Sequence, residues 1–104
     1  MIFIETSIFT KEVQHLLSDD NYRMLQTALM LRPDAGSLIR GSGGLRKIRW
    51  SLPDTGKRGA LRIIYYWSAP DTIFMLFPYI KTEQEDLTKE QLKLLRRMVK
   101  EMLS

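Results

Sequence analysis

Apolar residues follow two different spacings along the chain, and each spacing predicts a kind of element. A short apolar run at 2–5 predicts a strand, and apolar residues three or four positions apart predict helices over 7–17 and 20–31. Pro33 ends the second helix, because the residue before a proline is disfavoured in helical geometry. The side-chain oxygens that cap these helices come from Thr6 or Ser7 and from the SDDN cluster at 18–21.

The rest of the chain predicts three strands and one more helix. A turn-rich connection at 33–44 leads to strands at 45–51, 60–68 and 72–80. A capping box that begins at Thr88 starts the last helix. The order β-α-α-β-β-β-α, with antiparallel pairing in its second half, predicts an α+β fold in which all 104 residues form one domain.

Turn residues predict how the strands are joined. Residues 53–59 are expected to form a long hairpin loop, and 68–71 a tight turn. Pro78 lacks a backbone donor, which predicts a bulge or a partly free edge late in the last strand. The GSGG segment at 41–44 lacks the spacing of a phosphate-binding loop and precedes a strand, so we interpret it as a turn.

The charge of the chain favours an acidic partner. The net charge is +4 at pH 7 and the isoelectric point is about 9.6, which makes nucleic acid the first candidate. Seven of the sixteen Lys and Arg residues lie within 40–66, where Asp54 is the only acid. A membrane is a weaker candidate, because no predicted helix is basic on one face and apolar on the other.

Several kinds of site and location are excluded by composition. The chain has no cysteine and one histidine, His15, which falls off the apolar stripe of its helix, so neither a metal site nor thiol chemistry is expected. The apolar start is too short for a signal peptide or a membrane span, which predicts a soluble, cytoplasmic protein. No cofactor is expected. The acids at 83, 85 and 86 are expected to be a solvated approach to the last helix.

Strand periodicity predicts where the cations of the middle segment point. Ile48 and Trp50 suit a core, so Lys47 and Arg49 would lie on the opposite face, about 7 Å apart. Arg62 lies in the next strand between apolar residues, where a charge is costly to desolvate unless it is paired or lines a cleft. An alternative is that these are solvated cations that protect a strand edge. Their number favours a polyanion site.

A set of Lys, Arg and Tyr side chains is suited to cleaving RNA without a metal. The ribose 2′-OH would attack its neighbouring phosphate, and the cations would stabilise the doubly charged pentavalent transition state. Arginine would clamp the phosphate, while Lys47 or Lys81 would exchange a proton. The same residues are equally compatible with binding RNA alone.

Three segments resemble a known family. The segments IRGSGGLRKIRW and GKRGALRIIYY, and a following strand that ends in YIK, resemble the RelE superfamily of bacterial toxins, and most closely its HigB branch. The resemblance implies an mRNA interferase that cuts mRNA in the ribosomal A site. It also implies a small cognate antitoxin with a helix-turn-helix domain, through which operator DNA would be contacted only indirectly.

The resemblance also assigns residues. Lys47 and Arg49 match the basic pair of a KIK-like strand, Arg62 matches an arginine of a [YF]RLVY-like strand, and Lys81 falls in a GKR-like strand end. No arginine follows that lysine, and the C-terminal tyrosine that some members use as a base has no obvious counterpart. The candidates for the general base are Tyr79, Lys47 and Lys81. The expected contacts to RNA and the ribosome are Arg46, Lys57 and Arg58.

Two other functions fit the same sequence. A toxin of the ParE branch has the same fold but inhibits DNA gyrase, and would leave mRNA intact. A module that binds RNA or ribosomes would neither cut RNA nor harm cells.

Overall fold

The computed structural model describes residues 1–51 and 61–104. Within them, five strands form one sheet, and helices pack on both of its faces. The elements are β1 (Ile2–Glu5), α1 (Ser7–Leu16), α2 (Asp19–Leu31), β2 (Ser37–Leu38), β3 (Leu45–Trp50), β4 (Leu61–Ser68), β5 (Thr72–Ile80) and α3 (Lys89–Leu103). The predicted α+β architecture is confirmed. The added strand β2 lies in the segment expected to be a connection.

The strand order is β1-β5-β4-β3-β2. Neighbouring strands are antiparallel except β1 and β5, which are parallel. The N-terminal strand therefore pairs with the last strand of the sheet, a partner that its sequence alone does not indicate.

Polar caps begin all three helices, as the sequence predicts. Thr6, Ser18 and Thr88 each accept a backbone N–H of the first helical turn. Thr6 is also buried, and its hydroxyl donates to the carbonyl of Leu76 in β5 at 2.8 Å. This hydrogen bond ties the start of α1 to the sheet.

The two faces of the sheet carry separate apolar clusters. Helices α1 and α2 pack on one face, and α3 packs on the other with Leu95 and Val99 buried. The buried strand residues beneath α1 and α2 are Leu61, Ile63, Tyr65, Ile73 and Met75. Those on the α3 face are Leu45, Ile64, Phe74, Leu76 and Tyr79.

Strand β5 contains an irregularity close to Pro78, as predicted. Met75 and Phe77 pair with consecutive residues of β4, so Leu76 is an extra residue in the ladder. β1 pairs only with the first four residues of β5, so it leaves the edge near Pro78 uncovered. Proline is tolerated there because no β1 carbonyl requires its missing donor.

The predicted turns are also present where the structure describes them. Residues 69–71 join β4 to β5 tightly, and glycines 41, 43 and 44 adopt positive φ angles in the turn before β3. The predicted hairpin loop at 53–59 lies outside the described residues. Within the described ranges, no helix is long and apolar enough to cross a membrane.

Candidate functional site

Strand register brings three cations to the sheet face on which α3 packs. Arg49 lies directly opposite Arg62, and Lys47 lies opposite Ile64. Paired residues of antiparallel strands share a face, and Ile64 belongs to the α3-side core, which identifies that face. Like charges that face each other across two strands are destabilising. An anion bound between the two guanidinium groups would offset this repulsion.

Tyr79 reaches the same face because of the extra residue in β5. Strict alternation from Phe74, which packs beneath α3, would turn Tyr79 to the other face. The bulge at Leu76 shifts the phase by one residue, and Tyr79 then lies opposite Arg62. Thr6 holds this bulge through the Leu76 carbonyl. The phenol thus completes a row with the two arginines across three strands.

The environment of Tyr79 keeps its phenol protonated. Its side chain is buried, and its hydroxyl donates a long hydrogen bond of 3.4 Å to Oδ1 of Asp86. Burial, followed by the charge and the hydrogen bond of Asp86, raises the pKa of Tyr79 to about 12, although the nearby charge of Arg62 opposes this rise. At neutral pH the group is a donor.

Asp86 contacts two of these residues, which its sequence position did not predict. Its Oδ1 accepts the backbone N–H of Leu87 at 2.9 Å and lies 3.5 Å from Nζ of Lys47, besides contacting Tyr79. The Leu87 hydrogen bond and, after it, the charge of Lys47 lower the pKa of Asp86, although partial burial opposes them. Asp86 was expected to be solvated in the approach to the last helix, and its side chain is indeed 70% exposed. Only its place just before the capping box could have indicated this contact.

A shallow cavity of about 370 Å³ opens beside the cations at the edge of β3. Its wall is the segment before β2, which Tyr65 holds by donating to the Pro33 carbonyl and accepting the Gly36 N–H, both at 2.8 Å. A Cβ at Gly36 would lie 2.7 Å from the Tyr65 ring, so only glycine fits. The lining residues are Ala35, Ser37, Lys47, Ile48, Arg49 and Arg62.

Arg46 lies on the opposite face from the other cations. It pairs with Tyr65, which packs beneath α1 and α2, and its guanidinium donates to the carbonyls of Gly36 at 2.8 Å and Asp34 at 3.2 Å. These contacts hold the wall of the cavity. The predicted contact of Arg46 with RNA or the ribosome remains a prediction.

The remaining predicted residues are more distant or not described. Lys81 is exposed in the turn directly after β5, two residues past Tyr79, and not inside the strand end. His15 is exposed on α1, as predicted. Lys57 and Arg58 lie outside the described residues.

The described side chains favour phosphate chemistry. Across residues 1–51 and 61–104, no three His, Cys, Asp or Glu residues are grouped so that they could hold a metal ion. The site instead combines guanidinium, ammonium and phenol groups, which bind phosphate oxygens as hydrogen-bond donors.

One family comparison matches nearly the whole chain. The sequence model described as the RelE toxin of the RelE / RelB toxin-antitoxin system matches residues 5–104 of the 104. The match includes every strand that contributes to the row of arginines and tyrosine.

Proposed function

The chain belongs to the RelE family of toxins, and from this premise we propose that it is a ribosome-dependent endoribonuclease that cuts mRNA in the ribosomal A site. Translation stops when the message is cut, so expression without the antitoxin arrests growth.

One observation carries the proposal: Arg49, Arg62 and Tyr79 form a row across β3, β4 and β5, with Lys47 beside it. These side chains can donate several hydrogen bonds to one phosphodiester that lies over this face of the sheet. The negative charge on the nonbridging oxygens increases as the 2′-oxygen attacks, so fixed cations stabilise the transition state more than the substrate.

The proposed reaction is an internal phosphoryl transfer. The bond between the 2′-oxygen and phosphorus forms while the bond between phosphorus and the 5′-oxygen breaks, which leaves a cyclic phosphate and a free 5′-hydroxyl. The 2′-hydroxyl loses a proton and the 5′-oxygen gains one. Arg62 and Arg49 hold the phosphate as bidentate donors, because guanidinium remains charged throughout.

Tyr79 is best suited to be the proton donor. Its raised pKa keeps the phenol protonated at neutral pH, and a weak acid of this kind can protonate the departing 5′-oxygen. Lys47 and Lys81 remain the candidates for accepting the proton of the 2′-hydroxyl. Lys47 lies on the face of the row, where it can accept this proton only as the neutral amine; as an ammonium it is a donor to the phosphate.

The proposed partners follow from the family. A RelE toxin acts with a cognate antitoxin. We extend the proposal to the HigB branch, on the resemblance of the segments at 39–50 and 56–66, and hence to an antitoxin with a helix-turn-helix domain. A small helix-turn-helix protein encoded next to this chain, able to suppress its toxicity, would support that assignment.

Primer extension on cellular mRNA after brief induction tests the activity. We expect cuts inside translated codons, and loss of cutting by about 100-fold or more in Arg62→Ala, the effect of removing one transition-state donor. Arg23→Ala removes an exposed arginine of α2, on the opposite side of the sheet, and is the matched control, expected to cut normally. Circular dichroism checks that both variants fold.

Two outcomes would overturn the proposal. Undiminished cutting by a folded Arg62→Ala protein would show that the site is elsewhere. Intact mRNA together with lost DNA supercoiling would identify a gyrase inhibitor, and ribosome binding without either effect would identify a binding module.

A further inference from the structure

We propose that Asp86 is a positioning residue of this site: its carboxylate holds the ammonium of Lys47 and the phenol of Tyr79 at the working distance from the bound phosphodiester. The inference rests on the proposed function. It gives a role to an acid that lies in the loop between β5 and α3, outside the strands that carry the cations.

A single carboxylate oxygen links three parts of the fold. Oδ1 of Asp86 contacts Lys47 of β3, Tyr79 of β5 and the backbone N–H of Leu87 at the approach to α3. Lys47 and Tyr79 come from strands that are not neighbours in the sheet, because β4 lies between them. The carboxylate is therefore a bridge that the ladder hydrogen bonds do not provide.

The loop that carries Asp86 is held by the first turn of α3. The side-chain amide of Gln84 donates to the Asp86 carbonyl at 2.9 Å and to Oε1 of Gln91 at 2.5 Å. The same Oε1 accepts the N–H of Thr88 at 3.0 Å within the capping box. These contacts hold the backbone at Asp86, and the Leu87 N–H, which donates to Oδ1 at 2.9 Å, orients the carboxylate.

The bridge affects geometry more than stability. A lysine side chain has many rotamers, and fixing it costs roughly 1–2 kcal/mol of conformational entropy. An ion pair as exposed as this one contributes little to folding. If the lysine and the phenol ring are ordered before RNA binds, the reaction does not have to order them, which increases the rate without a large effect on stability. The phenol O–H then turns from its long contact with Asp86 to the 5′-oxygen.

The opposite role for Asp86 predicts the opposite result. A carboxylate beside Lys47 also repels the phosphate of an incoming RNA. If repulsion dominated, removing the charge would lower KM and leave kcat unchanged or higher. If positioning dominates, removing the charge lowers kcat, while KM changes little.

The test compares three variants on ribosome-bound mRNA. Asp86→Asn keeps the shape and removes the charge, Asp86→Glu keeps the charge, and Glu85→Gln removes an adjacent exposed charge as the control. We expect Asp86→Asn to lower kcat about tenfold or more, the scale of a small misplacement of reacting groups. Asp86→Glu should recover part of this loss, and Glu85→Gln should match the wild type.

A second readout does not depend on cleavage. NMR titration of the Tyr79 ring carbon, assigned with Tyr79→Phe, reports the electrostatic contact directly. The midpoint should move to lower pH in Asp86→Asn, because the nearby negative charge is gone, and should not move in Glu85→Gln. The charged groups that act on Tyr79 are Asp86 from the loop and Arg62 from β4.

The outcomes separate this inference from the proposed function. An unchanged kcat in Asp86→Asn, or a lower KM with a higher kcat, would overturn the positioning role, as would an unmoved Tyr79 midpoint. If the wild type cuts no RNA, the proposed function is overturned. A midpoint that moves only in Asp86→Asn would then still support the bridge between Asp86 and Tyr79.

Discussion

Two groups of cations lie on the same side of the sheet and are held in different ways. The sheet cluster consists of Lys47, Arg49 and Arg62, whose positions are determined by strand register. The helix stripe consists of four exposed cations on α3, which packs on the same sheet face. Its members recur at helical spacing around a shallow groove of about 230 Å³: Lys93, Arg96, Arg97 and Lys100.

The difference lies in how strongly each group is constrained. Two of the three residues of the sheet cluster are partly buried, and Asp86 and Tyr79 contact or face them. The cations of the helix stripe form no ion pair with another described residue. A fixed cluster can match the shape of one transition state, whereas mobile surface cations contribute mainly a long-range field. For the sheet cluster, activity should therefore depend on which cation occupies each position. For the helix stripe, it should depend only on the charge.

The largest expected effect is on stability at alkaline pH, which tests whether Tyr79, the residue opposite Arg62 of the sheet cluster, is desolvated. The pKa of Tyr79 is raised from its ordinary 10.0 to about 12 in the folded protein. The folded state therefore keeps this proton to higher pH than the unfolded chain. The resulting stabilisation is fully present below about pH 10 and is lost as pH rises through about 12. Discounted for partial hydration of the phenol, it amounts to roughly 1–2 kcal/mol.

Urea unfolding at pH 8.5 and pH 11.5 measures this term. The wild type should lose more stability than Tyr79→Phe between the two values, because Phe has no proton to lose. Equal losses of stability in both proteins would mean that Tyr79 is solvated. Tyr79 would then be no more constrained than the exposed side chains of the helix stripe.

The next effect comes from exchanging arginine for lysine in each group. Arg62→Lys keeps the charge but loses the planar fork of donors, and we expect cleavage to fall by about tenfold. Arg97→Lys makes the same chemical change on α3 and should leave the rate as it is. Single-turnover cleavage on stalled ribosomes gives both rates. A similar fall in the cleavage rate at both positions would show that the sheet cluster and the helix stripe do not differ in this respect.

The smallest effect is expected from reversing charge on the helix stripe. The double variant Lys93→Glu and Lys100→Glu should weaken ribosome binding about threefold at low salt, and less as ions screen the field. Lys11→Glu with Arg23→Glu changes the net charge equally on the α1 and α2 side and is the matched control. Pelleting with ribosomes over a salt series measures both, and equal weakening would show that only net charge matters.

Much of the fold could be predicted from the sequence because the signals are local. Thr6, Ser18 and Thr88 cap helices through contacts within one turn, so their sequence context is sufficient. Strand phase likewise gave Lys47 and Arg49 a common face, since alternation is a property of a single strand. The parallel pairing of β1 with β5 was not predictable, because the two strands are far apart in the chain.

The candidate site was predicted only in part. Its cations were recognised by residue type, and the family resemblance assigned them a reaction. Arg46 has the same residue type but faces the other side, where it supports a loop through two carbonyls. Asp86 was missed because it reaches the site from a loop, at a sequence distance that neither periodicity nor a motif records.

The sequence by itself determined the elements, their caps and the density of cations in the middle of the chain. The tertiary structure decided which of these cations meet. The β3–β4 register places Arg49 opposite Arg62, and the extra residue Leu76 turns Tyr79 toward them. The loop between β5 and α3, which Gln84 ties to the start of α3, then places Asp86 beside Tyr79. These relations are long-range because strand pairing is determined by how whole strands pack. Pro78 indicated an irregularity in β5, but not which side chain it would turn toward the arginines.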